Sequence, residues 1–434
     1  MKTILNYQIQ VLPKLNVTQI GWLLDHFDPA FVFYDWENAT LKLCLGAVAE
    51  CFPAASQRQN QFVTVEKWYQ ELKQQLKLKN SGPVPLVAGS FLFDPLQKKS
   101  ATWGKLVRGY FFLPQLTIYQ TAEQTVAVSC ASDSVTCQQQ LLQLQQLLVL
   151  AFTTTESAGL INVTETQIAA WQRAVQTAIT AIQTKQLEKV VLARMITTGL
   201  TTRLTAAEIW QRLAPIKQQN YQFLLKYREQ IFISLTPEKL VEFQPEQIRL
   251  DALAGTIERG TQKEQTQLLG QQLLQSTKNR QEHQIVVSAI TNRLTQLKLA
   301  VKHPTEPQIL VTGSVQHLYT PITAKGKFDP LNILARLHPT PALGGQPQQA
   351  ALEFIRKYEG WERGLFGGPT GWLDFAGKGK FVVAIRSALL DGQRAHLFAG
   401  AGIVAASDYH QETIETRNKM QPMLNLLKGK NKYE

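Results

Sequence analysis

Apolar residues along the chain repeat with two periods, and the switches between them predict interleaved strands and helices. In the first 150 residues FVFYDW (31–36), LKLCLG (41–46), PLVAGSFLFD (85–94), KLVRGYFFL (105–113) and TVAVSCA (125–131) read as strands. Between them, about Val63 to Lys79 reads as a helix. Residues 138–150, QQQLLQLQQLLVL, set Leu at helical spacing among Gln, which predicts an amphipathic helix rather than a polar disordered tract. From Thr164 a helix is signalled by Thr164 as N-cap with Gln167 three residues on. Its core face is Trp171, Ala174, Val175, Ala178, Ile179 and Ile182.

Further strands are predicted at Lys189–Arg194 and at Phe223–Tyr227, the latter paired with Ile231–Leu235 across a short polar turn. GWLDF, FVVAIRSALL and AHLFAGAGI, separated by AGKGK and DGQR, predict an antiparallel meander. Blocks of strands interleaved with helices imply an α+β fold with large, mostly antiparallel sheets. A weak boundary at Thr153–Gly159 divides residues 1–155, which carry no chemical motif, from residues 160–434, where all candidate chemistry lies.

Composition narrows the class. The 434 residues are 44% hydrophobic and 18% charged, within the ordinary globular band. The nearest approach to a membrane span is Leu147–Phe152, and the N-terminus breaks its apolar run with Asn and Gln, so a cytoplasmic protein without membrane association is expected. Cys44, Cys51, Cys130 and Cys137 lack CxxC spacing and read as buried free thiols. The net charge of +12 raises nucleic acid as a partner, but the basic residues are scattered, with one cluster in the tail from Lys428 to Lys432. No nucleic-acid binding is expected, and the chain is expected to be a monomer.

Six groups of residues suggest chemistry, each beside a plainer reading. Glu282 lies on the apolar stripe of a helix with Val286, Ala289 and Ile290, as a paired or N-terminal-turn acid or as a metal or catalytic group. Glu412, Glu415 and Lys419 share one helical face, which is either a surface salt-bridge array or, combined with Glu282, a site suited to Mg²⁺. Arg386 falls by period-2 alternation on the face of Val382 and Ala384, where an arginine needs a carboxylate from protein or substrate. Lys189 opens a strand as a general base or as a lysine with its amine in water, and Glu238 could donate a proton if burial raises its pKa. Gly400 and Gly402, and Gly255 beside Thr256, permit close backbone approach or mark bulges. His338 sits in a Pro/Gly-rich loop, HPTPALGG, where function and structure are hard to separate.

In order along the chain, KVVLAR, LTPEKL, DALAGT, NRQEHQIVV, HPTPALGG, GLFGGPTGW, VAIRSALL, AGAGIVAASD and ETIETRNKMQPML resemble the motifs of the chorismate-utilising enzymes, over roughly residues 165–427. That family includes isochorismate, salicylate, anthranilate and aminodeoxychorismate synthases. The resemblance implies Mg²⁺-dependent conversion of chorismate in large sheets flanked by helices. It implies that Glu282 and Glu415, with Glu412 close by, hold magnesium, and that Gly255, Thr256, His338, Phe366, Arg386, Gly400, Gly402 and Lys419 surround the substrate. It further implies that Lys189 activates water for attack at C2 and that Glu238 protonates the departing C4 hydroxyl.

The nucleophile separates the subfamilies. Lys189 stands where ammonia-using anthranilate synthases typically carry Gln, and Ala254 where aminodeoxychorismate synthases carry Lys. Water addition giving isochorismate is therefore expected, for naphthoquinone or siderophore synthesis. That reaction needs Lys189 neutral and Glu238 protonated at one pH. A salicylate synthase shares these residues and is the alternative reading. A nonenzymatic basic nucleic-acid-binding protein is the distant one. Three departures alter the substrate's surroundings: Phe366 replaces a frequent Tyr, Asp251 a frequent Glu or Thr, and Ser234-Leu-Thr236 the usual Gly-Ala-Ser.

Overall fold

In the first of two long hydrogen-bonded runs of strands, Ala30–Asp35, Tyr221–Tyr227, Gln230–Thr236, Ser387–Asp391, Arg394–Ile403 and Lys189–Leu200 are neighbours in that order. In the second the order is Leu86–Ser90, Pro369–Asp374, Gly379–Val383, Lys239–Gln244, Gln247–Glu258 and Val315–Lys325. Thr40–Cys51 and Tyr110–Gln120 join the two runs by pairing with each other, with Ala30–Asp35 and with Leu86–Ser90. Each of these pairings is antiparallel. The computed structural model describes residues 4–54, 60–78, 82–150, 159–165, 167–216, 219–312 and 315–428. The boundary predicted at 153–159, short of Gly159 itself, and the basic tail beyond Lys428 lie outside them.

The period-2 pattern explains how the runs stack. Phe31, Phe33, Phe223, Leu225, Phe232, Leu389 and Phe398 of the first run bury against Leu86, Ala88 and Val382 of the second, with Trp103 among them. Their sequence neighbours Ala30, Val32, Leu224, Ile231, Ile233, Ala388, Leu390 and Leu397 face outward, under the helices Val17–His26, Ser134–Val149, Ala206–Leu213 and Tyr409–Lys428. On the far side Val87, Val241, Phe243, Phe381 and Val383 pack beneath Gln61–Gln75, Ile168–Gln183 and Thr277–Gln296. The result is a helix, sheet, sheet, helix sandwich, the α+β class expected. Aromatic pairs stiffen its centre: Trp103 stacks on Phe398 with centroids 5.3 Å apart and donates its Nε1–H to the Glu362 carbonyl at 3.1 Å. Gly364, at φ 54°, is required there, because a Cβ would collide with the Trp103 ring.

Three local expectations are corrected. Thr164 is not an N-cap: Leu160–Thr164 is a strand that pairs Thr164 with Thr197, and the helix starts at Ile168 with the predicted six residues buried. Lys105–Arg108 belongs to a 3₁₀ helix, Ala101–Arg108, and the strand begins at Tyr110. FVVAIRSALL is two strands, Gly379–Val383 and Ser387–Asp391, so no simple meander forms. Strands on the two sides of the predicted boundary pair with each other, Ala30–Asp35 with Tyr221–Tyr227 and Leu86–Ser90 with Pro369–Asp374. Among the described residues no helix is long and apolar enough to cross a membrane.

Candidate active site

Two neighbouring chain segments cross between the sheets at the same level, and this brings Glu238 and Arg386 together. Gln230–Thr236 pairs with Ser387–Asp391 in the first sheet, while Lys239–Gln244 pairs with Gly379–Val383 in the second. The links between them, Pro237-Glu238 and Ala384-Ile385-Arg386, therefore run side by side. The Val383 N–H donates to the Glu238 carbonyl at 3.0 Å and the Leu235 N–H to the Arg386 carbonyl at 3.1 Å. Arg386 is accordingly not on a strand face with Val382 and Ala384. It turns the chain with φ 49°, a left-handed conformation uncommon outside glycine. Ser234, at one of the departures from the family pattern, closes the crossing by donating its hydroxyl to the Ile385 carbonyl at 2.6 Å.

Lys189 sits at the start of a strand whose second edge is completed largely by side chains. Gly345 and Gln346 pair with Val190 and Lys189, and beyond them the pairing lapses until Leu160–Thr164 meets Thr197–Leu200. The Val191 N–H then finds the Gly344 carbonyl, and the Ala193 N–H finds the Glu359 carboxylate at 2.9 Å. Arg363 Nη2 donates to the Val191 carbonyl at 2.7 Å and Trp361 Nε1 to the Ala193 carbonyl at 3.2 Å. Glu359 and Arg363 form a fully buried ion pair, and Arg363 also holds the Leu343 carbonyl in the HPTPALGG loop. Buried backbone groups need partners, and this clamp supplies them where no strand does.

Around Lys189 the charged groups alternate. Its Nζ is 3.0 Å from Glu282 Oε1, and its stem lies against Gly402, where a Cβ would stand 3.0 Å from Lys189 Cε. Lys419 Nζ is 2.9 Å from the Gly400 carbonyl and 2.5 Å from Glu415 Oε1, so the salt-bridge face predicted on Tyr409–Lys428 points its lysine at the same strand. Burial pushes the Glu238 carboxyl up to about 7 although the Lys189 and Lys419 ammoniums both pull it down. Burial also raises the Glu412 carboxyl, with Glu415 beside it adding to the effect. Burial lowers the Arg386 guanidinium, and Glu415 opposes that. Glu282 is at the rim of its helix rather than in the stripe, whose buried residues are His283, Val286, Val287, Ile290 and Leu294.

Sequence reasoning missed His317. It pairs in register with Thr256, its Nδ1 is 2.9 Å from Thr256 Oγ1, and burial together with the Arg386 and Lys419 charges lowers its pKa to about 4. The available signal was its place in VQHLY, a second alternating strand opposite DALAGT. Gly255 takes φ 74° at a bulge between Ala254 and Thr256, where a Cβ would stand 3.1 Å from Asn279 at the foot of the Glu282 helix. His338 and Phe366 are held in packing instead. His338 Nε2 is 2.8 Å from the Phe93 carbonyl, its ring lies near Phe62 and Phe93, and burial lowers its pKa to about 4. Phe366 stacks on Phe398 in the inter-sheet core. Asp251 pairs with Lys239 at 3.1 Å and accepts from Tyr319, within a network where Lys380 also meets Asp35, Glu37 and Glu242. The four cysteines are free and buried as expected.

Carboxylates from two helices, Glu282 and Glu415, flank the glycine strand, each already holding a lysine. That hard-oxygen donor set fits Mg²⁺, which takes one or two protein carboxylates with water and substrate oxygens completing the shell. A larger cage is not needed, and among the described residues no group of three or more His, Cys, Asp or Glu side chains converges.

Comparison with known proteins gives one family and one fold. A family model described as chorismate binding enzyme matches residues 8–428. The chain is 35% identical over 361 residues to isochorismate synthase MenF of Bacillus subtilis, covering 81% of this chain and 77% of that one. It is 31% identical over 441 positions to the salicylate biosynthesis isochorismate synthase of Pseudomonas aeruginosa, covering 96% and 91%. Among solved structures, the menaquinone-specific isochorismate synthase MenF of Escherichia coli superposes with a TM-score of 0.82 at 24% identity, over 98% of this chain and 95% of that one. Anthranilate synthase component I of Streptococcus pneumoniae follows with 0.71 at 18%, over 96% and 92%. At those identities the two structures speak for the fold.

Proposed function

The chain belongs to the chorismate-binding enzyme family, and from that premise we propose that it is an isochorismate synthase, an isomerase acting in the cytoplasm on chorismate. The observation that carries the reading is the Glu238 carboxyl, which burial keeps protonated up to about 7 with the Lys189 amine near enough to act on its charge. The relatives in Bacillus subtilis and Pseudomonas aeruginosa are isochorismate synthases by name, and the residues that would direct ammonia chemistry are missing at Lys189 and Ala254.

In the proposed reaction Lys189, in its neutral amine form and released from Glu282, takes a proton from a water molecule at Nζ, and the water oxygen bonds to C2 of chorismate. The ring double bonds shift, the C4–O bond breaks, and Glu238 gives its proton to the leaving hydroxyl, so one water enters and one leaves. Arg386, Lys419 and the Thr256–His317 pair face the substrate's two carboxylates, and Gly255, Gly400 and Gly402 leave room for it. His338 and Phe366 act from behind, through the loop and the aromatic core. Glu282 and Glu415, with Glu412 beside them, would hold Mg²⁺, which supplies positive charge to a substrate carboxylate when bound. We assign this chemistry to residues 160–434. The product would feed naphthoquinone synthesis or a siderophore.

The test is incubation of the protein with chorismate, with and without Mg²⁺, and product identification by NMR. Isochorismate formed with Mg²⁺ and lost on chelation is the expected result. Salicylate with pyruvate would transfer the chain to the salicylate synthases, and unchanged chorismate would end the proposal.

A further inference from the structure

The helix Ser134–Val149 buries Cys137, Leu141, Leu144 and Leu147 and leaves a second apolar line outside: Val135 is 63% exposed, Leu142 53% and Val149 85%. Residues seven apart drift only ~20° around a helix, so the three form a straight seam. Gln139 and Gln146 border it on one flank, Gln138 and Gln145 on the other, all exposed. The face reads the same from either end. About Leu142, Gln139 mirrors Gln145, Gln138 mirrors Gln146, and Val135 mirrors Val149. No residue from Ser134 to Val149 carries a charge, in a chain whose net charge is +12.

We propose that this seam pairs with the same seam of a second copy of the chain, the two helices antiparallel about a two-fold axis at Leu142. A two-fold contact requires a self-complementary surface, in which residue i meets j and j meets i. The mirrored pattern meets that requirement: Leu142 meets its own copy, Val135 meets Val149, and each Gln meets a Gln, whose amide is both donor and acceptor. Two copies at +12 repel, and an uncharged face opposes their approach least. A bilayer or an acidic partner would call for a Lys/Arg border, and this border is glutamine. The helix is about 24 Å long. One helix pair covers less than the ~1,600 Å² of a standard interface, so the contact belongs to the weak, concentration-dependent class. This departs from the monomer expected from the sequence.

Sedimentation velocity of the full chain, from low to high micromolar and at two salt concentrations, tests it. The expected result is a concentration-dependent dimer that tightens as salt screens the repulsion. Leu142→Glu should weaken it at least about tenfold while chorismate turnover, circular dichroism and melting stay unchanged, since Leu142 is half exposed and outside the site. Independently, Leu142→Cys should oxidise to a covalent dimer, because the axis brings the two positions together and the native cysteines are buried. A monomer at every concentration, a dimer that Leu142→Glu leaves intact, or one that loosens with salt would overturn the proposal.

Discussion

Gly402 lies directly against Lys189: a Cβ on Gly402 would come within 3.0 Å of Cε and 3.5 Å of Nζ of that lysine. The strand Arg394–Ile403 is thus shaped to the amine that the proposed reaction uses. Gly402→Ala should leave folding intact, because the far end of a lysine can move aside, yet it displaces the amine. A displacement of order 1 Å can cost on the order of 100-fold. Turnover and melting temperature, measured together, check this; a variant of normal activity would remove Lys189 from the reaction.

Lys189→Ala should abolish water addition, a loss of at least about 100-fold as expected for a general base, while the clamp through Glu359, Trp361 and Arg363 still holds the strand. Circular dichroism and isochorismate formation check the two halves separately. Near-normal turnover would refute the base assignment.

Glu238 should set the alkaline limb of the activity. Its carboxyl is the proton donor, so kcat should fall as pH rises through about 7. Stability should move in the same sense. The unfolded chain ionises this group near its ordinary 4.5 and the folded chain near 7. Between those values the folded state keeps a proton that the unfolded state has lost, so this group's contribution to stability declines with rising pH and is flat above the window. Glu238→Gln should therefore be inactive, yet gain stability on the wild type from pH 5 to pH 7, as read by urea midpoints.

Removing the guanidinium that holds the Val191 carbonyl should be severe. Arg363→Met strands the buried Glu359 carboxylate, a change that costs about 3–5 kcal/mol, and urea unfolding should show it. Adding Glu359→Gln, which keeps an acceptor for the Ala193 N–H, should recover part of the loss.

Much of this protein was legible along the chain because period and chemistry are local. Alternation marked Phe223–Tyr227 and Ile231–Leu235 as paired strands, and helical spacing marked the buried face from Trp171 to Ile182. The motifs around Lys189, Glu238 and Glu282 carried the family. Arg386 was misread for a physical reason: its apolar neighbours on both sides continue a strand pattern, and only the need to join two sheets puts a turn there. His317 was overlooked because its partner Thr256 is a neighbour across the sheet and not along the sequence. Periodicity depends on a few adjacent residues, so the sequence alone determined most of the elements and the class, while its resemblance to the chorismate-utilising enzymes implied the reaction to expect. Which carboxylate meets which lysine, where the strand of Lys189 finds its missing hydrogen-bond partners, and how burial raises Glu238 all depend on contacts between distant segments, and those the tertiary structure decided.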